Sequence, residues 1–205
     1  MFELLERGGV LMYPIFALSI ISLGIFFERL YFLRREKYIP KAVAIAIRSA
    51  IKNRDFAEAE KLCISYNSAI TRITGELLLN RSAAYEHLVS ICENAGNREA
   101  RRLSVYQEVI STIVSIAPLL GLLGTVLGMV KLFGVLSGGG IGDPQALSGG
   151  IAEALLTTAA GLSVAIPAQI FHYLIKSRSD ALVSLLEKET TELIGLITNR
   201  EDELS

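Results

Sequence analysis

Three stretches of the chain carry no charge: residues 11–27 (LMYPIFALSIISLGIFF), 109–130 (VISTIVSIAPLLGLLGTVLGMV) and 154–175 (ALLTTAAGLSVAIPAQIFHYLI, with His172 neutral). A helix that crosses the hydrocarbon core of a bilayer needs about 20 apolar residues. The second and third stretches reach that length directly. The first reaches it by running on through Leu30–Leu33, with Glu28 and Arg29 near the interface. The pattern predicts an all-α integral membrane protein with transmembrane helices at 11–33, 107–133 and 149–175. The preamble MFELLERGG is not basic, and the first stretch ends in the bulky, basic FFERLYFLRREK. It therefore reads as a retained anchor and not as a cleaved signal peptide.

The charged stretches keep helical periodicity. In KAVAIAIRSAIKN the apolar positions recur at helical spacing, with Arg48 and Lys52 on the wet side. Asn53–Asp55 reads as a break and a cap ahead of FAEAEKLCISY. Helix is predicted onward through 106, with interruptions near Asn80 and near Asn94–Asn97. Segment 34–106 is thus expected to be a helical insertion. In the tail, 176–205, Leu182, Leu186, Leu193 and Ile197 recur on one face, so the third span is expected to continue as an amphipathic helix. It would pack on the insertion or on a neighbouring subunit. Segment 134–148 is rich in glycine and is expected to be a flexible turn, sharpest at Asp143–Pro144.

Composition adds orientation. The hydrophobic share of 51% would also suit a soluble core, and only its distribution argues for membrane. Residues 34–41 and 172–178 are rich in Lys and Arg, whereas the first ten residues hold only Arg7 and 131–148 holds only Lys131. The positive-inside rule then places the N-terminus (1–10) and 134–148 outside, and 34–106 and the C-terminus in the cytoplasm. A net charge of −1 gives no sign of nucleic-acid binding. Cys63 and Cys92 fit no metal spacing and are read as reduced, buried and inert. His87 and His172 are isolated. No catalytic set, metal site or cofactor motif is present, so the chain is not read as an enzyme.

Small and polar residues inside the spans are the informative positions. Gly121, Gly124 and Gly128 share one side of the second span, with Thr125 beside them and Pro118 one turn earlier. Small residues let helix backbones approach closely in lipid. The third span offers its own stripe, Ala154, Thr158, Gly161, Ala165 and Ala168, with Pro167 next to it. A lone membrane threonine such as Thr125 commonly bonds back to its own helix. Glu153 is harder to place, because a charged acid at mid-bilayer costs roughly 2.5–3.5 kcal/mol. It can lie at the outer interface, stay protonated, or face a polar cavity or partner. Thr157 is one turn away and within its reach.

The segments IAPLLGLLGTVLGMVKLF and GGIAEALLTTAAGLSVAIPAQ resemble the signature of the ExbB/TolQ/MotA proton-channel family, and GGVLMYPIFALSIISLGIFFERLYFL resembles its first span. Three spans are closer to ExbB and TolQ than to MotA. The resemblance implies a ring, usually a homopentamer, in the bacterial inner membrane around a single-span partner of the ExbD or TolR kind. That partner carries a membrane aspartate. Proton flow would drive motion passed to an envelope-spanning protein of the TonB or TolA kind. By motif, the family's pathway acid falls on Glu153 and its pathway threonines on Thr125 and Thr158, with Thr157 an additional hydroxyl. Two alternatives stay open: a non-conducting membrane scaffold, and a sodium-driven motor of the same family.

Overall fold

The computed structural model describes residues 8–33, 35–137 and 144–198. Much of the expected outer turn (Gly138, Gly139, Gly140, Gly142 and Asp143), residues 1–7 of the N-terminal segment and residues 199–205 of the tail lie outside the described residues. Among the described residues all regular structure is helical: α1 (Met12–Phe32), α2 (Arg35–Tyr38), α3 (Lys41–Lys52), α4 (Phe56–Ser65), α5 (Ala69–Leu79), α6 (Tyr85–Ser104), α7 (Gln107–Ser137) and α8 (Pro144–Thr198). Three of these helices, α1, α7 and α8, are long and apolar enough to cross a membrane. The chain divides into two compact units, one built from residues up to 28 and 106–174, the other from 29–105 and 175 onward.

In the first unit the apolar side chains stay largely uncovered. Leu119, Val130, Phe133, Leu155 and Ile166 are all at least 61% exposed. In a soluble domain that surface would drive aggregation; on membrane helices it is the surface that lipid or neighbouring helices cover. Besides Ile15, Ser22, Ile110 and Ile113, what is buried is a narrow seam. Ala117, Gly121, Gly124, Gly128 and Leu132 of α7 face Ala154, Thr157, Gly161, Ala165 and Ala168 of α8. The glycines are small for a stated reason. A methyl at Gly161 would stand 2.5 Å from the Ala117 carbonyl oxygen, and one at Gly121 would stand 3.0 Å from the Thr158 Cα. Phe26 of α1 stacks on Phe171 of α8, ring centroids 4.0 Å apart.

Pro118 and Pro167 both sit inside helices. Each removes one backbone donor, which a membrane helix tolerates when neighbours resatisfy the freed carbonyl. Pro118 is half-buried beside the seam, whereas Pro167 lies on the exposed side of α8. Within the expected flexible turn, residues 134–137 and 144–148 are helical.

The second unit is a helical bundle with a conventional core. Ile47, Ile51, Ile73, Leu77 and Leu88 are buried in one cluster with Leu186, Leu193 and Ile197 of the tail. The apolar face of the tail therefore packs on the insertion helices. Arg48 adds ion pairs to Glu189 (2.8 Å) and Glu192 (2.5 Å). Helix starts follow the sequence chemistry. Asp55 caps α4 by accepting the Glu58 N–H, and Arg54, at φ 62°, turns the chain into it. Ser68 and Thr71 form a reciprocal capping box on α5.

One predicted break is absent: α6 runs unbroken through Asn94–Asn97. Both asparagines lie on the exposed face, where their weak helix propensity costs only about 0.7 kcal/mol each at most. The opposite face buries Leu88, Ala95 and Glu99. Glu99 accepts two hydrogen bonds from Arg72 (2.9 and 2.6 Å) and one from Arg102 (3.0 Å). Those tertiary contacts outweigh the local preference. The break expected near Asn80 is present, between α5 and α6.

Candidate ion-pathway site

Glu153 lies near the start of α8, beside the end of α7. Its side chain is 27% exposed, and Oε1 accepts from Lys131 Nζ at 2.6 Å. The carboxylate therefore has an internal cation, supplied from α7. Its other neighbour is backbone. Gly9, at φ +70°, lies so close that a methyl there would collide with Glu153 Oε1 and stand 3.2 Å from its Cδ. The left-handed backbone favours glycine at that position, and a side chain there would also push the carboxyl group aside.

Thr157 sits one turn on and is 1% exposed. Its hydroxyl lies 2.7 Å from the Glu153 carbonyl and 3.0 Å from the Gly8 carbonyl, so its single proton is shared between two acceptors. A methyl at Gly124 would run into Thr157 Cγ2, so α7 is cut away where this threonine enters. Thr158 turns toward α7 as well and donates to the Gly121 carbonyl at 2.9 Å. The spacing puts Thr158 in the small-residue stripe. In the structure Thr157 occupies that stripe and Thr158 is half-buried at its edge. Both lie within a turn of Ala154, and only the way α7 lies on α8 selects between them.

Thr125 is placed differently. It is half-buried, flanking the seam, and its hydroxyl donates to the Leu122 carbonyl of its own helix at 2.6 Å. Among the described residues no hydrogen bond links it to Glu153, Thr157 or Thr158. The structure thus brings together Glu153, Thr157, Thr158 and the three glycines, with Thr125 alongside.

Sequence reasoning treats Lys131 only as a loop charge and overlooks the Gly8–Gly9 turn. A signal for Lys131 was available. It and Glu153 lie on either side of the glycine-rich connection, as facing positions of an antiparallel helix pair do. The contact with Gly8 and Gly9 is long-range and left no local mark.

The two cysteines lie in the second unit. Burial, with help from the charge of Glu60, pushes the Cys63 thiol up to about 11, and burial raises Cys92 as well. Both are kept as unreactive thiols.

Comparison with known proteins places the chain among described relatives. An ExbB-like biopolymer transport protein of Synechocystis sp. (strain ATCC 27184 / PCC 6803 / Kazusa) is 35% identical over 186 residues, covering 86% of this chain and 71% of its own. Biopolymer transport protein exbB1 of Vibrio cholerae serotype O1 is 30% identical over 196 residues, 90% of this chain and 83% of its own. The Tol-Pal system protein TolQ of Haemophilus influenzae is 40% identical over 88 residues, 43% of this chain and 39% of its own. Residues 65–188 match the MotA/TolQ/ExbB proton channel family, a group of transport proteins and not of enzymes. That match spans more than half of the chain, including α7, Lys131, Glu153, Thr157 and Thr158; the chain is a membrane protein belonging to the MotA/TolQ/ExbB proton channel family.

Proposed function

We propose that this chain is the ring-forming subunit of an ion-motive-force-driven motor of the ExbB/TolQ type, with Glu153 as its titrating group. The observation that carries the reading is the position of Glu153. It is a carboxylate on a membrane helix, held at a seam between two spans, with Thr157 one turn on bonded to the Glu153 backbone carbonyl and Thr158 bonded across the seam to the Gly121 carbonyl. Intramembrane acids in such settings mark ion pathways. A carboxyl group that gains and loses a proton there changes its attraction for Lys131 and for any partner helix, which couples ion transfer to movement.

In this reading the copies form a ring, of five by analogy with the family. The ring encloses single-span helices that bring an aspartate. The chain lies in the inner membrane with its N-terminus outside and its C-terminus in the cytoplasm, as the basic residues at 34–41 and 172–178 favour. The envelope-spanning element would be of the TonB or TolA kind. One elementary charge crossing 100 mV releases about 2.3 kcal/mol, so several ions per step supply a substantial subunit rearrangement. Thr125 and Thr158 are assigned to the pathway on the family motif, and Thr157 on its burial beside Glu153. Proton is favoured over sodium because the acid can titrate.

The test is Glu153→Gln, co-expressed with the partner. Proton flux into vesicles should fall to background while ring assembly, read by native mass, is unchanged. Full flux in Glu153→Gln would remove the acid from the pathway. Normal envelope work without any flux in the wild type would favour a scaffold.

A further inference from the structure

We infer that Lys131 is the resident counter-cation of Glu153: a positioning residue that holds the carboxylate docked against the Gly8–Gly9 turn, so that an ion working at Glu153 must first displace its ammonium group. The inference deepens the proposed pathway role of Glu153 and rests on it for its functional meaning.

Three observations carry it. The first is the contact, Lys131 Nζ to Glu153 Oε1 at 2.6 Å, bridging α7 and α8. The second is charge isolation. Among the described residues of this unit, Lys131 is the only lysine or arginine, and the acids besides Glu153 are Glu28 and Glu108. Among the described residues of this unit, Glu153 therefore has no second lysine or arginine to turn to. A lone charge on a membrane helix is costly, and a pair that loses one member leaves the other uncompensated. The third is the backbone on the far side of the carboxyl. Gly9 packs on Glu153 Oε1, while Gly8 accepts from Thr157. The carboxylate thus has a cation on one oxygen and chain packed against it. It is an occupied site and not an open one.

The consequence is a defined order of events. A proton that neutralises Glu153 releases Lys131, whose side chain, 62% exposed, has room to leave. A metal cation would have to compete with a tethered ammonium for the same oxygens. Lys131 therefore acts as a specificity-determining residue in favour of proton over sodium.

The test uses the full chain in native membranes, treated with the hydrophobic reagent dicyclohexylcarbodiimide. This reagent activates protonated carboxyl groups. An adjacent amine then captures the activated acid as an amide with net loss of one water; without an amine a stable adduct remains. In the wild type we expect a Lys131–Glu153 amide, seen by mass spectrometry as two joined peptides, and little adduct on Glu153. In Lys131→Met, where no ammonium group occupies the carboxyl oxygen the reagent must reach, we expect several-fold more adduct. Lys131→Arg, which keeps the charge, should return to the low level, whereas a purely space-filling role would let Met suffice. Added sodium should protect Glu153 in Lys131→Met and not in the wild type.

Equal adduct in wild type and Lys131→Met overturns the inference. So does failure of the amide to form in the wild type, a result that needs no folded variant. Flux that survives in Glu153→Gln would instead sink the pathway reading and leave these labelling differences standing.

Discussion

Replacing Gly161 with alanine adds one methyl group where α8 crosses α7. Its position is fixed by backbone: 2.5 Å from the Ala117 carbonyl oxygen and 3.2 Å from both N and Cα of Gly121. Ordinary contact begins near 3.4 Å, so the helices must separate locally by about 0.9 Å, and no flexible side chain can give way. A gap of about 0.5–1 Å forfeits a quarter to a half of the dispersion energy of the atoms it parts. The contacts at risk are those of Gly121 with Thr158 and of Gly128 with Ala154. The Thr158 hydroxyl, now 2.9 Å from the Gly121 carbonyl, would move out of hydrogen-bonding range. That bond is worth roughly 0.6–1.7 kcal/mol in a membrane protein. Overpacking adds about 1–3 kcal/mol, and the better helix propensity of alanine returns about 1 kcal/mol. The net expectation is a loss of roughly 1–3 kcal/mol. Gly24→Ala in α1 is the control, since a methyl there meets nothing within 4 Å. It should be neutral or stabilising. Thermal unfolding in mild detergent, followed by circular dichroism, would read Gly161→Ala several degrees below wild type and Gly24→Ala at or above it. Equal midpoints for Gly161→Ala and wild type would refute the claim that the α7–α8 seam is close-packed at this crossing.

Two further expectations concern the second unit. Glu99→Ala removes a buried acid, 5% exposed, that accepts from both Arg72 and Arg102. Breaking a fully buried pair costs about 3–5 kcal/mol; because the arginines are partly exposed, roughly 1–3 kcal/mol is expected, read as a lower denaturation midpoint. A loss below about 0.5 kcal/mol would show that the cluster is ornamental. The Cys63 thiol, raised from 9.0 to about 11, should be alkylated at pH 8 about a hundredfold more slowly than an ordinary thiol. Because the folded value is raised, its contribution to stability is present below pH 9 and is lost as the pH climbs toward 11. Rapid alkylation of the folded protein at pH 8 would contradict this.

Much of the architecture is written in local patterns. Charge-free runs of bilayer length name α1, α7 and α8, because a helix satisfies every backbone group within its own segment in hydrocarbon. Asp55 starts α4 through its own side chain. The apolar stripe of Leu186, Leu193 and Ile197 marks a face that must be covered. Glu153 stands out since an acid in such surroundings is expensive. These are properties of a residue and its near neighbours along one helix.

What the tertiary structure decides is which neighbour each group meets. Helical spacing reads Thr158 into the small-residue stripe, and only the lie of α7 on α8 puts Thr157 inside instead, against Gly124 and Gly8. The continuity of α6 through Asn94–Asn97 comes from Glu99 and Arg72, partners 27 residues apart whose attraction outweighs weak local propensity. The cation for Glu153 comes from Lys131, 22 residues away, and its packing from Gly9. Sequence tells which groups are costly to leave alone; the energy that relieves them depends on distances of a few ångströms between segments, and those exist only after the chain has folded.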